Sequence, residues 1–367
     1  MNKRILLVQY ALAGGGIENL LYSYLTHMNR EGLTFELVVC GQAVGQMEQK
    51  FKELGCVIHH IPHRNESLSG HYRQLRKIIR NGRFDAVHAN QSEKSFITLF
   101  AAWRSGVKTR ILHCHNAFPP ESLCKRAVRF CCARLGMALS TRYFACSTDA
   151  GRWLFGERAV RQGKVQIIKN AIDLTRFSFD EGVRKEVRAE QKSGNAFVVG
   201  NVARMTEQKN HSLTLQIFEQ VLKTRKDAQL WLIGEGELEE KIRREVNKRG
   251  LSQSVRFMGV RTDVPRLMQA MDAFLLPSRY EGLGIVFLEA QAAGLTCVGP
   301  DIPGARDTAV TPLMHALRLD APVKEWADEV LKAQNAPRTD VSQKLRENGY
   351  DIMEEAGKLE KIYRELP

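Results

Sequence analysis

The chain has 367 residues, more than one hydrophobic core usually supports, so two domains are expected. Its composition, with 44% hydrophobic and 26% charged residues, excludes a largely disordered protein. Lys and Arg number 54 against 41 Asp and Glu, and the resulting charge of +13 favours phosphate-bearing or membrane-surface partners. Zinc-finger, RNP and aromatic-basic patterns are missing from the sequence, which argues against a nucleic-acid partner, and its apolar runs fall short of the roughly 18 residues of a membrane span.

Residues 1–10 predict a first β-strand rather than a signal peptide, because the apolar run is short and glycines follow it. Short apolar strands then alternate with helical stretches up to about residue 170, which predicts a parallel, doubly wound sheet. The predicted strands are Ile5–Val8, Phe35–Cys40, Val57–Ile61, Asp85–Ala89, Arg110–His113 and Tyr143–Cys146. Eight cysteines without a CxxC pair predict buried free thiols in a reducing cytoplasm.

A glycine-rich loop follows the first strand and opens an amphipathic helix. Gly15 and Gly16 would let the backbone approach a phosphate or a sugar closely, with Glu18 beside them. A dinucleotide fingerprint requires a third glycine where Asn19 stands, so a dehydrogenase is poorly supported. The alternative is a tight turn that binds no ligand.

Two histidines, His113 and His115, end the fifth predicted strand and are followed by Asn116. They could serve as metal ligands, as a base, or as polar caps of the strand. Two histidines alone are poor support for zinc, which takes three or four protein ligands in most sites. Their alternation along a strand places both on one face.

The stretch from Glu121 to Lys164 is strongly basic, with nine Lys or Arg against three acids, a net charge of +6. Its first part predicts a helix that mixes apolar and basic residues. One interpretation is a helix that packs inward and keeps a solvated basic face, and the residues of that inward face would be Val128, Cys131, Cys132 and Leu135. The other is peripheral docking on an anionic membrane leaflet.

A second set of strands and helices follows a charged stretch at residues 180–192. Its helix from about Asn210 carries a core stripe with Leu213, Ile217 and Val221 at i, i+4 and i+8. After the first strand, which begins near Val198, the predicted strands are Leu230–Ile233, Val255–Met258, Phe274–Leu276 and Thr296–Val298. These alternating elements predict a second parallel sheet, and the charged tail from Val341 is helical in pattern.

Arg204 and Lys209 flank a turn that follows the first strand of this second set. Arg offers a planar fork to phosphate oxygens and Lys a mobile point charge, so the pair suits a diphosphate. In a basic protein, two such residues could equally be solvated surface charges.

Glu281 and Glu289 stand with seven residues between them, in a strand, loop and helix order. Ligands bind at such strand ends in open α/β sheets, and the N–H groups of the loop Gly282–Val286 could hold a phosphate. Carboxylates suit hydroxyl donors instead. A nucleotide sugar has hydroxyls at both ends and phosphates between them. The alternative is a capped surface helix with two solvated glutamates.

The segment Glu281–Gly294 resembles the E-x7-E signature of the retaining glycosyltransferases of family 4, which have the GT-B fold. Val199–His211 resembles the Arg-x4-Lys phosphate clamp of that family, and Leu232–Glu237 and Val255–Gly259 resemble its next two strand ends. The resemblance covers most of the chain and extends to a subgroup that builds bacterial capsular polysaccharide or exopolysaccharide.

The resemblance implies an α/β protein with two Rossmann-like, doubly wound domains that face a cleft. The expected ranges are 1–174 for the acceptor-side domain, 175–345 for the nucleotide-sugar domain and 346–367 for a helix that crosses back to the first domain. It implies retaining, metal-independent transfer of a hexose from a UDP-sugar or similar donor to a glycan or lipid-linked acceptor, without a cofactor. The rival function is a catalytically silent nucleotide-sugar-binding or scaffold protein of the same fold.

Roles for individual residues also follow from the resemblance. Arg204 and Lys209 would hold the diphosphate, Glu289 the ribose and Glu281 the donor sugar, while His113 rather than His115 would face that sugar. The remaining donor-side candidates are Gly15, Gly16, Gly259, Gly282, Leu283, Gly284, Ile285 and Val286. The acceptor-side candidates are Glu18, His115 and Asn116. The chain departs from the family after Gly294, where Gly299-Pro300-Asp301 replaces a Gly-Gly turn.

Overall fold

The protein is described here by a computed structural model that covers residues 2–115 and 123–367. Internal contacts divide the chain into two compact units. Unit one comprises residues 1–172 and 351–367, and unit two comprises residues 173–350. Each unit is built around one parallel sheet.

The sheet of unit one has seven parallel strands in the order β3-β2-β1-β4-β5-β6-β7. They are β1 (Lys3–Val8), β2 (Leu33–Cys40), β3 (Val57–Ile61), β4 (Ala86–Ala89), β5 (Thr109–Cys114), β6 (Arg142–Ala145) and β7 (Val165–Ile167). The connecting helices are α1 (Gly16–His27), α2 (Glu48–Glu53), α3 (Leu68–Gly82), α4 (Phe96–Arg104), α5 (Leu123–Leu139), α6 (Thr148–Phe155) and α7 (Glu157–Arg161). The strand order reverses between β1 and β4, which lie side by side.

Both faces of this sheet are covered, as expected of a parallel sheet. Along β1, Ile5 and Leu7 pack into the core on one face, while Leu6 and Val8 pack into a second core on the other. All four side chains are at most 1% exposed. The continuous apolar run of β1 is therefore the consequence of burial on both sides.

The sheet of unit two has six parallel strands in the order β10-β9-β8-β11-β12-β13. They are β8 (Val198–Val202), β9 (Gln229–Ile233), β10 (Val255–Phe257), β11 (Ala273–Leu275), β12 (Thr296–Pro300) and β13 (Met314–Leu317). The helices are α8 (Leu174–Phe177), α9 (Glu181–Glu190), α10 (His211–Thr224), α11 (Glu239–Lys248), α12 (Val264–Ala270), α13 (Ile285–Ala292), α14 (Pro303–Arg306), α15 (Val323–Lys332) and α16 (Ser342–Glu347). Here the order reverses between β8 and β11.

The last helix, α17 (Ile352–Arg364), belongs to unit one and begins at Asp351, whose carboxylate accepts from the N–H of Met353. It packs against α1, and its Tyr363 lies edge-on to Phe35 of β2 with ring centroids 5.6 Å apart. The C-terminal residues therefore complete the core built by the first 172 residues.

The structure confirms the two parallel sheets and each predicted strand, and it adds β7 and β13. In α10, Ile217 and Val221 are fully buried as predicted, whereas Leu213 is half-buried. The charged stretch 180–192 forms α9 of unit two. Among the described residues, no helix is long and apolar enough to cross a membrane.

The predicted inward face of α5 is wrong. Val128 and Leu135 are 65% and 53% exposed, Cys131 is also exposed, and Cys132 is half-buried. Among the residues of this helix whose burial is described, the small Ala133 and Gly136 are the buried ones, and a Cβ at Gly136 would lie 3.3 Å from Leu112 of β5. A close approach through small residues leaves Val128, Phe130 and Leu135 exposed, while Met137 and Leu139 near the end of the helix pack against the core.

The prediction that the cysteines are buried was only partly correct. Cys56, Cys114, Cys146 and Cys297 are buried, whereas Cys124 and Cys131 on α5 are exposed.

Candidate functional site

Two loops of unit two follow the neighbouring strands β8 and β11, where the strand order reverses. The loop after β8 carries Arg204 and Lys209, and the loop after β11 carries Glu281. Lys209 Nζ donates to both carboxylate oxygens of Glu281, at 2.7 and 3.0 Å. Glu281 is only 7% exposed, so a buried carboxylate and its cation occupy the sheet edge where open α/β sheets bind ligands.

Three further hydrogen bonds brace these two loops against each other. The N–H of Arg279 donates to the Gln208 carbonyl at 2.8 Å, and the Gln208 amide donates to the Tyr280 carbonyl at 2.9 Å. The Asn210 amide donates to the Pro277 carbonyl at 3.1 Å. Lys209 and Glu281 therefore extend from backbone segments that hold each other in place.

The backbone of the Glu281 loop differs in part from the expected cradle of N–H groups. The N–H of Gly284 donates to the Gly304 carbonyl at 3.2 Å, and that of Ile285 donates to the Leu283 carbonyl at 2.8 Å. The expectation that these two N–H groups stay open for a ligand was wrong, because both are used inside the protein. The other N–H groups in the predicted cradle belong to Gly282, Leu283 and Val286.

Arg204 is exposed and has no ion-pair partner within residues 2–115 and 123–367. Its backbone lies close to the end of β9, because a Cβ at Gly234 would stand 2.2 Å from the Ala203 carbonyl oxygen. The N–H of Gly234 in turn donates to the carbonyl of Gly259 at 2.8 Å, which joins the ends of β9 and β10. The exposed guanidinium therefore extends from a fixed backbone position at the same sheet edge.

Glu289 lies on α13, partly buried, and its carboxylate has no hydrogen-bond partner in the described part of the chain. Burial raises the pKa of this carboxyl to about 7, and nearby Arg176 opposes part of that rise. A hydroxyl that donates to the carboxylate would stabilise its ionised form. The Glu289 carboxylate can therefore accept a hydrogen bond from a ligand, and its charge changes near neutral pH.

His211, the first residue of α10, stands two positions after Lys209. It is 3% exposed, and neither ring nitrogen has a hydrogen-bond partner in the structure as described. Burial and the charge of Lys209 lower the pKa of His211 to about 4. The ring is consequently neutral at physiological pH.

In unit one, the glycine loop leads into α1, with Gly15 as the N-terminal cap and Gly16 as the first helical residue. The Glu18 carboxylate lies over Gly15, where a Cβ would be 2.5 Å from Glu18 Oε2. Burial raises the pKa of Glu18, and the N–H groups of Glu18 and Gly15, which donate to the carboxylate, oppose this rise. The helix N-terminus already holds an anion, which favours a hydroxyl over a phosphate as the ligand of this loop.

A cluster of three histidines lies at the ends of β4 and β5. His88 Nε2 is 2.9 Å from His113 Nδ1, and the His113 and His115 rings are tilted by 35° with centroids 3.9 Å apart. His115 Nε2 is 2.8 Å from Asn90 Oδ1. Each of these four residues is at most 2% exposed. The contact between the His113 and His115 rings confirms the prediction that the two side chains share one face of the strand.

The cluster contains two ring nitrogens, His113 Nε2 and His115 Nδ1, that are buried and lack a partner among the described residues. Burial lowers the pKa of His115 to about 3 and that of His113 well below its usual range, so both rings are neutral. Asn116, the third candidate at this strand end, lies outside the described residues. No group of His, Cys, Asp and Glu side chains able to hold a metal is found in the parts of the chain that are described.

Sequence reasoning missed three residues of this cluster, His88, Asn90 and Tyr363. His88 Nδ1 is 2.7 Å from the Tyr363 hydroxyl, although the two residues are 275 positions apart. A polar residue inside an otherwise apolar strand was the available signal for His88, since β4 reads Ala86-Val87-His88-Ala89. Nothing in the sequence pairs it with the last helix.

Comparison with known proteins relates both units to the same group of enzymes. Residues 14–176 match the family described as Glycosyltransferase Family 4, and residues 183–351 match the family described as Glycosyl transferases group 1. The chain is 30% identical to EpsF of Bacillus subtilis, a protein provisionally named a glycosyltransferase, over 98% of this chain and 96% of the relative. It is also 27% identical, over 63% of its length and 61% of the relative, to the Escherichia coli UDP-Gal:alpha-D-GlcNAc-diphosphoundecaprenol alpha-1,3-galactosyltransferase.

Among solved structures, that of Anabaena Alr3699/HepE in complex with UDP and glucose superposes with a TM-score of 0.81 over 99% of both chains, at 18% sequence identity. The glycosyltransferase WaaG superposes with a TM-score of 0.69 over 97% of this chain and 95% of that one, at 15% identity. The two Rossmann-like units thus have the predicted GT-B fold.

Proposed function

Because this chain belongs to the glycosyltransferases, with a family 4 domain followed by a group 1 domain, we propose that it is a retaining enzyme of surface polysaccharide synthesis. Its donor is a nucleoside diphosphate hexose, with UDP as the carrier. Its acceptor is a glycan or a lipid-linked oligosaccharide. The E. coli relative is named for a UDP-linked donor and a diphosphoundecaprenol-linked acceptor, which supports both choices.

The observation that carries this proposal is the ion pair of Lys209 and Glu281. A ligand that offers a phosphate to the cation and a hydroxyl to the carboxylate can replace the pair and leave neither group without a hydrogen-bond partner. A nucleotide sugar has both groups on adjacent parts of one molecule. A purely structural ion pair would not require an exposed Arg204 on the same loop as Lys209.

Each side chain then has a distinct role in the proposed transfer. Arg204 and Lys209 stabilise the charge that grows on the departing diphosphate, and Glu281 orients hydroxyls of the donor sugar. Glu289 binds the ribose. Glu281 is not the nucleophile, since we propose that the acceptor attacks from the face that the diphosphate leaves, with a diphosphate oxygen taking the acceptor proton. In unit two, the N–H groups of Gly282, Leu283 and Val286 and the backbone of Gly259 complete the proposed donor contacts. In unit one, we assign the Gly15–Gly16 loop to the donor, and Glu18 and His115 to the acceptor.

Incubation with a panel of nucleotide sugars and lipid-linked acceptors, with release of free nucleotide as the readout, tests the proposed activity. We expect turnover with at least one UDP-sugar, retention of the anomeric configuration in the product, and unchanged rates in EDTA, because Arg204 and Lys209 supply the cations. Loss of activity in EDTA that Mg²⁺ or Mn²⁺ restores would contradict the metal-independent step. Tight nucleotide-sugar binding without turnover would favour the silent binding protein.

The role of Glu289 predicts a pH-dependent affinity for UDP. Ribose hydroxyls donate to the ionised carboxylate, whose pKa is about 7 in the unliganded protein, so binding should strengthen as pH rises through 7 and then level off. At pH 6 the dissociation constant should be about tenfold above its high-pH value, since one pKa unit corresponds to a factor of ten.

Calorimetric titration of UDP between pH 5.5 and 8.5 measures this dependence. UDP also titrates in this range, so Glu289→Gln is the matched control that retains the ligand's own contribution. A wild-type curve that coincides with the Glu289→Gln curve would rule out the ribose role.

Peripheral docking on an anionic membrane remains part of the proposal, and the outward face of α5 supports it. Val128, Phe130 and Leu135 are 65%, 56% and 53% exposed, and Arg134 stacks on the Phe130 ring at 5.0 Å. Exposed apolar side chains among basic ones suit the interface of an anionic bilayer, where each basic residue contributes about 1 kcal/mol. This surface would bring the enzyme to a lipid-linked acceptor.

Flotation with vesicles measures the docking. The protein should bind vesicles that contain phosphatidylserine more strongly than neutral ones, and binding should fall as salt rises. Arg134→Gln should lower the partition coefficient about fivefold, the equivalent of about 1 kcal/mol. Val128→Ser should also weaken binding, whereas Val260→Ser, an equally exposed valine of unit two, should not. Equal binding to both vesicle types would overturn the proposal.

A further inference from the structure

Three buried groups of unit one form a continuous hydrogen-bonded chain that ends at an unpartnered atom. The Tyr363 hydroxyl is 2.7 Å from His88 Nδ1, and His88 Nε2 is 2.9 Å from His113 Nδ1. Phe144 packs edge-on against both histidine rings, with centroids 5.5 and 5.8 Å away. The chain stops at His113 Nε2, which has no hydrogen-bond partner among the described residues.

The protons of this chain can be placed by counting donors and acceptors. A neutral imidazole has one N–H and one bare nitrogen, so each of the two contacts has a single donor. If the Tyr363 hydroxyl donates to His88 Nδ1, then His88 Nε2–H donates to His113 Nδ1, and the proton of His113 is on Nε2. In the opposite direction His113 Nδ1–H donates to His88, and the Tyr363 hydroxyl hydrogen is left without an acceptor.

The second arrangement is the costlier one. It buries an unsatisfied O–H donor and an unsatisfied His113 Nε2 acceptor together, whereas the first leaves only the His113 N–H without a partner. An unsatisfied buried donor costs on the order of 1–3 kcal/mol, enough to favour one direction strongly. The Tyr363 hydroxyl has no other hydrogen bond in the described residues, so no second acceptor can relieve it.

We propose that Tyr363 and His88 are positioning residues that hold His113 as the tautomer with its proton on Nε2, so that the site receives a hydrogen-bond donor at that atom. This inference rests on the proposed function only for the identity of the group that accepts the hydrogen bond from His113 Nε2–H, which would be an oxygen of the bound sugar. The direction of the chain itself is a property of the unliganded protein.

Burial keeps Tyr363, His88 and His113, the three members of the hydrogen-bonded chain, uncharged. It lowers the pKa of His88 to about 3 and that of His113 well below its usual range, and it raises the pKa of Tyr363 above its ordinary value. At neutral pH, Tyr363 therefore carries its proton and the two histidines carry one each. The helix α17 thus supplies a functional hydroxyl to the first unit as well as packing.

Nitrogen NMR of the unliganded full-length protein, labelled with ¹⁵N-histidine, tests the tautomer directly, because protonated and bare ring nitrogens have different shifts. The His113 signal is assigned by its loss in His113→Gln. In the wild type we expect a proton on Nε2 and a bare Nδ1. A proton on Nδ1 of His113 would overturn the proposal.

Tyr363→Phe removes only the hydroxyl, after which neither direction of the chain is favoured. We expect the two His113 nitrogen shifts to move toward each other as both tautomers become populated. Tyr24→Phe is the matched control: Tyr24 is 2% exposed in the same core, and its hydroxyl donates to the Lys169 carbonyl at 2.5 Å. That control should lose a comparable buried hydrogen bond and leave the His113 shifts unchanged. Unchanged His113 shifts in Tyr363→Phe would overturn the role of Tyr363.

His88 is tested by two substitutions. His88→Gln keeps one donor and one acceptor and should preserve the His113 tautomer, whereas His88→Leu should not. If the transferase activity is established, Tyr363→Phe should lower kcat up to about tenfold with little change in KM, the equivalent of one hydrogen bond. The loss should be smaller in a His113→Phe background. Additive losses would show that Tyr363 acts through the fold alone, and absence of any transfer would count against the proposed function while the NMR result still stands.

Discussion

Replacing Lys209 with alanine should lower kcat/KM for sugar transfer about 30- to 1000-fold, the equivalent of about 2–4 kcal/mol of transition-state stabilisation. Within the described part of the chain, the ammonium is the one cation that contacts Glu281, and the proposed reaction moves it from that carboxylate to the departing diphosphate. Its charge counts most when negative charge has developed on the leaving oxygens. Steady-state kinetics with the donor identified in the panel assay would measure the effect.

The same substitution also leaves the Glu281 carboxylate buried without its cation, so a control must separate catalysis from the loss of the pair. Lys209→Met combined with Glu281→Gln removes both charges and should restore thermal stability without restoring activity. Lys241→Ala is a second control, since Lys241 is exposed and pairs with Glu207 at 3.4 Å near the same loop. Near wild-type kcat/KM in Lys209→Ala, or full activity in the double variant, would contradict the phosphate role.

The sheets could be predicted from sequence because strands buried on both faces must be apolar throughout. The strands β7 and β13 escaped that signal, since Gln166 and His315 interrupt three- and four-residue runs. Residue type and the order of strands, loops and helices also predicted that Arg204, Lys209 and Glu281 lie at strand ends. Their pairing was invisible, because Lys209 and Glu281 lie 72 residues apart and only the adjacency of β8 and β11 brings them together.

Two other features depended on contacts that no local pattern encodes. Helix α5 leaves Val128, Phe130 and Leu135 exposed and packs Gly136 against Leu112 of β5, which a helical periodicity count cannot show. The chain from Tyr363 to His113 requires a helix from the end of the sequence to return to unit one. Residue type and spacing thus predicted which groups are chemically active, while tertiary packing decides what each one contacts.

The stretch 180–192 shows how packing can give a charged segment a fixed structure, because one carboxylate binds two arginines of α9. Asp272, next to the start of β11, accepts from Arg184 and Arg188 of α9, each at 2.6 Å, and from the N–H of Val198 at 2.7 Å. The two arginine side chains are 20% and 12% exposed. Asp272 therefore supplies negative charge to two largely buried cations and accepts a hydrogen bond from the first N–H of β8.

Asp272→Asn should lower the free energy of unfolding of unit two by about 3 kcal/mol, in the range measured when one partner of a buried ion pair is removed. The amide keeps the size of the carboxylate but leaves both guanidinium groups without a counter-charge. Asp263→Asn is the matched control, since Asp263 pairs with Arg261 two positions away on the surface and such exposed pairs are worth about 0–1 kcal/mol.

Urea unfolding followed by tryptophan fluorescence can report unit two alone. Trp231 and Trp326 are fully buried in unit two, and the remaining tryptophans, Trp103 and Trp153, lie in unit one and can be replaced by phenylalanine in the parent protein. In that background we expect the midpoint of Asp272→Asn to fall well below that of Asp263→Asn. Equal midpoints for the two variants would mean that α9 is held by its apolar contacts, such as the fully buried Val187, rather than by the charge on Asp272.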